Sequence, residues 1–212
     1  MTKPGRRVLI GWTGPSPLRE LGGQGSAQSL PRELSLAPDR SLRQRFVAEL
    51  QSLRQERVER LGVAAQASPV KAGLQAEVVA FFPSSCGKEG STCALSVLGD
   101  GENATVITLA PHLGLVAVNA TSQGNSAVRA GPLPPQDPTT GGWTVHAIID
   151  HCLIELIVAN ATAFVVYAAP SPVATDVALS GVEDLRASLQ VWKLATANVN
   201  LREDGPVVEA PA

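Results

Sequence analysis

Two carboxylates, Asp150 and Glu155, sit five residues apart in the run IDHCLIE, and their spacing invites a chemical reading. A carboxyl pair can share general acid and general base work when its two environments push the acidities apart. Here no third group is at hand to divide those roles. The odd offset puts the two on opposite faces of an unbroken strand, while a turn at 151–153 would bring them closer. The expectation is therefore architectural. Asp150 bonds turn amides, and Glu155 pairs with an arginine or a backbone donor at a sheet edge.

The other reactive side chains are few. His112, His146 and His151 are the only histidines. His146 alternates with Val145 and Ala147, the setting of a satisfied or solvent-facing strand residue rather than a base. Ser84, Ser85 and Ser122 lack the glycine-rich context of a nucleophile elbow. Cys86 and Cys93 flank GKEGST, a loop that a disulfide could staple. Cys152 lies in a strand signal and reads as a small buried hydrophobe. No Cys or His spacing matches a zinc site, and neither a metal nor a cofactor is expected. Asn103, Asn119 and Asn160 each open an N-A-T triplet. They are glycosylation candidates that would suit a secreted or vacuolar parent, or else turn pairs between strands.

Composition sets the frame that must hold these groups. The 44% apolar content suffices for a packed core, and with only 4% aromatics that core must rest on Val, Leu, Ala and Ile. A formal charge of −2 supplies no field for nucleic acid or an anionic membrane. Arginine crowds the first 60 residues, as expected of an irregular, partly exposed segment. No apolar run reaches the ~18 residues of a spanning helix. The start, MTKPGRRVLIGW, has an apolar stretch too short for a signal peptide.

Residues 6–12, 29–36 and 42–50 read as short strands, with a Gly/Pro/Ser-rich loop over 13–28 and a turn at 38–40. Leu50, Leu53, Val58 and Leu61 fall near helical spacing before Gly62, which predicts a linker helix over 49–62. From residue 74 strands recur: 74–82, 93–98, 104–110, 113–119, 143–150, 153–159, 163–169 and 188–194. Gly99-Asp100-Gly101 marks a tight turn, Gly114 a kink, and 122–142 a long polar loop. The fold class is all-β, an antiparallel β-sandwich.

Four patches resemble glycoside hydrolase family 32, the invertases and fructan-processing enzymes. GRRVLIGW at 5–12 is similar to a G-R-R-[IV]-L-x-G-W strand late in the family's propeller. QSLPRELSL at 28–36 is similar to the Q-x-[IL]-P-R-x-L-x-L patch after it. LRQRFVAEL at 42–50 with Leu53 and Arg54 resembles the passage out of the propeller, with Phe46 where Pro is common. IDHCLIE at 149–155 resembles the [VI]-D-x-S-x-[VI]-E segment of the sandwich, with Cys152 where Ser is usual.

The resemblance implies a five-bladed β-propeller followed by a β-sandwich. On that reading residues 1–48 are the remnant of the last blade, 49–68 the linker, 69–200 the sandwich and 201–212 a disordered tail. Gly11, Trp12, Arg32, Glu33, Asp150 and Glu155 are then structural motif residues. Trp12, Trp143 and Trp192 could stack on sugar, with Trp143 the candidate sugar contact. The family hydrolyses a β-fructofuranosyl bond with a nucleophile in W-[ML]-N-D-P-N, a transition-state Asp in R-D-P and an acid/base Glu in E-C. None of these motifs occurs in the 212 residues. The resemblance begins mid-blade at Met1. It therefore implies a fragment or truncated reading of an enzyme for sucrose or fructan, inert alone and in contact with a propeller domain or a second copy. A stand-alone carbohydrate-binding or oligomerisation module is the alternative.

Overall fold

The computed structural model describes residues 5–15, 26–62, 68–87, 90–181, 184 and 186–196. The expected tail at 201–212 lies outside them. Among the described residues, seventeen strands form four antiparallel sheets. Near the N-terminus β1 (Arg7–Leu9), β4 (Arg32–Leu36) and β5 (Leu42–Phe46) make a three-stranded sheet in the order β1-β4-β5. Beside it, β2 (Trp12–Pro15) pairs with β3 (Ser26–Gln28).

The rest is a sandwich of two six-stranded sheets. One runs β12 (Arg129–Pro132), β11 (Leu115–Asn119), β10 (Thr105–Ala110), β9 (Cys93–Gly99), β16 (Asp176–Ser180), β7 (Val70–Lys71). The other runs β15 (Thr162–Tyr167), β14 (Leu153–Val158), β13 (Gly142–Asp150), β8 (Gln75–Pro83), β17 (Ser188–Leu194), β6 (Arg54–Leu61). Their inner faces meet in one aliphatic core that includes Leu95, Ile107, Leu109 and Val118 on one side and Val78, Val145, Ile154 and Leu156 on the other. Alternation explains the first sheet: in β10, Thr105, Ile107 and Leu109 point inward and are buried while Val106 and Thr108 are half-buried. Strand β14 is buried along nearly its whole length, which requires cover on its outer face as well.

That cover is the N-terminal sheet. Phe46, Ile148 and Ile157 form a second buried cluster, with Leu30, Leu50, Ala163 and Leu194 against it. The contact also holds the turn between β14 and β15, where Ala159 and Asn160 take left-handed φ values of 48° and 57°. The carbonyls of this turn face β5. Arg43 donates to Ala159 O (3.1 Å), the Gln44 backbone N–H to Asn160 O (2.7 Å), and the Gln44 side chain to Ala161 O (2.6 Å). A non-glycine residue in that region persists only where neighbours over-determine it.

The expected linker helix over 49–62 is corrected. Residues Ala48–Leu53 make a short 3-10 turn, and Arg54–Leu61 are a strand paired with β17 across the second sheet. Long-range pairing overrides the local helical spacing. Gly114, expected to kink a strand, instead ends a 3-10 turn at φ 62° between β10 and β11. The loop predicted over 122–142 contains β12.

Gly142 opens β13 where the backbone approaches its neighbour. A Cβ there would lie 2.2 Å from the Phe82 carbonyl oxygen and 2.8 Å from the Phe81 ring. Gly142→Ala is expected to lower unfolding free energy by about 3 kcal/mol or more, read from urea denaturation.

Candidate functional site

The hairpin of β13 and β14 turns at His151–Cys152, with Asp150 paired to Leu153 and Ile148 to Glu155. His151 takes φ 54° at this turn. Residues paired across a ladder share a face, so Asp150 and Glu155 lie on the same outer face of the sheet. The opposite-face placement of an unbroken strand therefore does not apply. Both line a depression of about 260 Å³ together with Leu30, Ile148 and Leu194.

Their fates differ. Glu155 is 1% exposed and accepts two hydrogen bonds, from the Leu30 backbone N–H (2.7 Å) and from Arg32 Nη2 (2.8 Å). The arginine and the backbone donor expected of it are both present, but in a strand interior to the sheet, not at its edge. Asp150 is exposed. It accepts from the Gln75 amide (2.9 Å) and lies 2.9 Å from His151 Nδ1, so its partners are side chains rather than turn amides. A carboxylate locked to a guanidinium beside one open to water is a docking contact, not an acid and base facing a common bond.

Arg32, from β4, reaches Glu155 with Nη2 and Gln44 with Nη1 (3.3 Å), and its Cζ lies 6.0 Å from the Phe46 ring centre. Glu33, the next residue, points the other way and pairs with Arg6 and Arg45, each at 3.3 Å. Arg6 also holds Glu49. Gly11 and Ser29 are joined twice, by the Ser29 N–H to Gly11 O at 2.7 Å and by the Gly11 N–H to the Ser29 side-chain Oγ at 2.9 Å. Thr13 meets the Tyr167 hydroxyl at 2.6 Å, a further tie between the N-terminal strands and the sandwich.

A second polar cluster escaped the sequence reading. Glu77 on β8 is 2% exposed, accepts from Arg54 Nε (2.7 Å) and Nη2 (2.6 Å), and lies 2.7 Å from His146 Nε2. Phe46 meets the His146 ring edge-on with centroids 4.9 Å apart, and Arg54 stacks on Trp192 at 4.0 Å. The signal was a lone Glu within the apolar run QAEVVAFF. Burial pushes the Glu77 carboxyl up, but the hydrogen bonds and charges of Arg54 and His146 outweigh it and hold the group at about 2.

The remaining predicted residues scatter. Trp143 is corrected as a sugar contact: it is 4% exposed within the core, and its indole N–H donates to the Pro134 carbonyl (2.8 Å). Trp192 is buried under arginines, whereas Trp12 is 71% exposed. Cys86 and Cys93 are joined, with Cα atoms 5.8 Å apart, and Cys152 is a half-buried free thiol. Asn103 and Asn119 line one surface groove of about 340 Å³. Asn160 lies in another of about 480 Å³, beside Arg43, Arg45 and Asp137. His112 is exposed in a 3-10 turn. Among the described residues no cluster of His, Cys, Asp and Glu could hold a metal, and no helix is long and apolar enough to cross a membrane.

An antiparallel sandwich with a small sheet sealed onto one outer face is the architecture these contacts define. Solved structures share it. An exo-inulinase from Aspergillus awamori superposes with a TM-score of 0.76 at 18% identity, over 92% of this chain and 41% of that one. A sucrose-6-phosphate hydrolase from Lactobacillus gasseri gives 0.71 at 16% identity, over 90% and 39%. A GH32 β-fructofuranosidase from Bombyx mori gives 0.66 at 20% identity, over 92% and 39%. The fold is thus the one found in glycoside hydrolase family 32 enzymes, and the chain spans about 40% of their length. No family model matches the sequence, and no curated protein is similar to it by sequence.

Glu77 gives the site a pH signature. Its folded value of about 2 lies below the ordinary 4.5, so its stabilisation is complete above about pH 4.5 and is lost as the pH falls toward 2. Glu77→Gln is expected to flatten stability against pH in that window, measured by urea denaturation at intervals from pH 6 to pH 2.

Proposed function

We propose that this chain is the sandwich-bearing part of a β-fructofuranosidase-type glycoside hydrolase, acting on sucrose or a fructan together with a propeller domain that carries the catalytic carboxylates. Residues 1–48 are then the end of the last propeller blade, 69–200 the C-terminal sandwich, and the parent enzyme is secreted or vacuolar. The observation that carries the reading is an apolar margin on the docked N-terminal strands. Val8, Leu9, Ile10 and Trp12 stand exposed on or beside β1 and β2. A contiguous apolar edge of this kind marks a surface made to be covered. The fold likeness to an exo-inulinase and a β-fructofuranosidase supports this class of reaction.

Retaining hydrolysis needs two carboxyl groups about 5–5.5 Å apart, one as nucleophile and one as acid. Glu155 is committed to Arg32 and cannot take either role, and the family's catalytic motifs do not occur in these residues. The purified 212-residue chain is expected to release no fructose from sucrose or inulin above a heat-killed control, and measurable release would overturn this assignment. Antibodies raised against it are expected to detect, in the source cells, a chain more than twice its 22.0 kDa. A band at 22 kDa alone, with calorimetric heat on adding inulin or levan, would instead support the stand-alone binding module.

A further inference from the structure

Strand β6 is the outermost strand of its sheet, and among the described residues its far edge has no partner. It is eight residues long, RQERVERL, and six of them are exposed. Long free edges are templates for another strand, and charged side chains are the usual protection against indiscriminate pairing. Here the charges do more than repel. We propose that β6 pairs with β6 of a second copy of this chain, antiparallel, about a twofold axis through Val58.

Register selects that axis. Antiparallel strands related by a twofold axis normal to the sheet keep their faces, so each residue must meet one from its own face. Arg57 lies opposite Trp192 on the outer face with Glu59, whereas Val58 lies opposite Val191 on the core face with Arg60. Two residues, Gln55 and Glu56, oppose the single Lys193 at an irregularity, and Glu56 bonds Lys193 at 2.7 Å, on the same side as Val58. Face-matching axes must therefore pass through a residue. An axis through Glu56, Arg57, Glu59 or Arg60 sets that charge against its own copy. Val58 is the uncharged residue within 56–60. The strand's other uncharged residues, Gln55 and Leu61, lie near its ends, where an axis would leave most of the strand unpaired. About Val58, Arg57 meets the partner's Glu59 and Glu56 meets the partner's Arg60, each twice by symmetry. Opposite charges directly across a ladder stabilise, and like charges there destabilise.

The present partners leave room for this. Arg57 bonds Glu59 of its own strand at 2.9 Å, at the exposed margin where a second carboxylate can join. Arg60 donates to the Glu59 carbonyl (3.3 Å) and, among the described residues, pairs with no carboxylate. One short strand on each side buries far less than the ~800 Å² per partner of a standard interface. The dimer is therefore weak, salt-sensitive and specific in register. This inference does not rest on the proposed enzymatic role, and its failure would leave that reading untouched.

The test is sedimentation velocity of the 212-residue chain from roughly 1 to 300 micromolar at low salt. A monomer–dimer equilibrium is expected, weakened severalfold on raising the salt to about 0.5 M. Arg57→Glu sets a second carboxylate against the partner's Glu59, and Glu59→Arg places two arginines together. Each is expected to weaken dimerisation at least about tenfold. The double exchange Arg57→Glu/Glu59→Arg restores opposite charges and is expected to return the constant to near the starting value. Circular dichroism melts identify any variant that has lost its fold, and the double exchange keeps the in-strand pair. A monomer at every concentration would overturn the proposal. So would a dimer indifferent to single reversals, or a double exchange that fails to recover.

Discussion

Glu155 lies on an interior strand of a six-stranded sheet, sealed from water, and a carboxylate so placed is untenable without a counter-charge. Arg32 supplies that charge from a strand more than a hundred residues earlier, and the Leu30 N–H supplies a second donor. Breaking such a pair by removing one partner costs about 3–5 kcal/mol, because the survivor is left buried and unpaired. The interaction therefore acts less as glue than as a condition on the fold. Only when β4 lies across β14 at this register is either residue satisfied. One nitrogen of Arg32, Nε, finds no partner among the described groups, so the match is tight but incomplete.

The rest of the contact follows from that placement. With β4 fixed, β5 falls over the β14–β15 turn and supplies donors to its carbonyls, and Phe46 drops between Ile148, Ile157 and the edge of His146. His146 and Arg54 then share Glu77, a second buried carboxylate on the same face. Two acids inside an outer sheet face are unusual for a sandwich whose face meets water. They make sense on a face that is an internal boundary. The N-terminal strands also keep Val8, Leu9, Ile10 and Trp12 exposed, so they have one boundary closed against the sandwich and an apolar margin left open.

Much of this was legible in the sequence. The eight strands expected from residue 74 onward are present within about two residues, because runs such as LIELIV and TVITLA have both β-branched content and a clear period. Strands β3, β7, β12 and β16 went unread, as did most of β2 within the loop expected over 13–28, all being short or carrying Gly and Pro. The linker helix was misread for a sharper reason. RQERVERL has the long charged side chains of a surface helix, and an exposed edge strand tolerates the same residues; the deciding partner, β17, lies some 130 positions later. For Glu155 the kind of partner was legible, but its depth was not, because burial on that face comes from a different sheet. Trp143 looked like a sugar platform at a loop–strand junction. Its ring is core, and only its N–H reaches the loop.

The coupling between Arg32 and Glu155 is the central claim, and it can be measured directly. The experiment is a double-mutant cycle of Arg32→Met, Glu155→Gln and the pair together, each unfolded in urea at neutral pH. Either single change is predicted to cost about 3 kcal/mol or more, and the double mutant to be little worse than one single, since no lone buried charge remains. Losses that simply add would contradict the claim, and would mean that the N-terminal sheet is held to the sandwich by its apolar contacts alone.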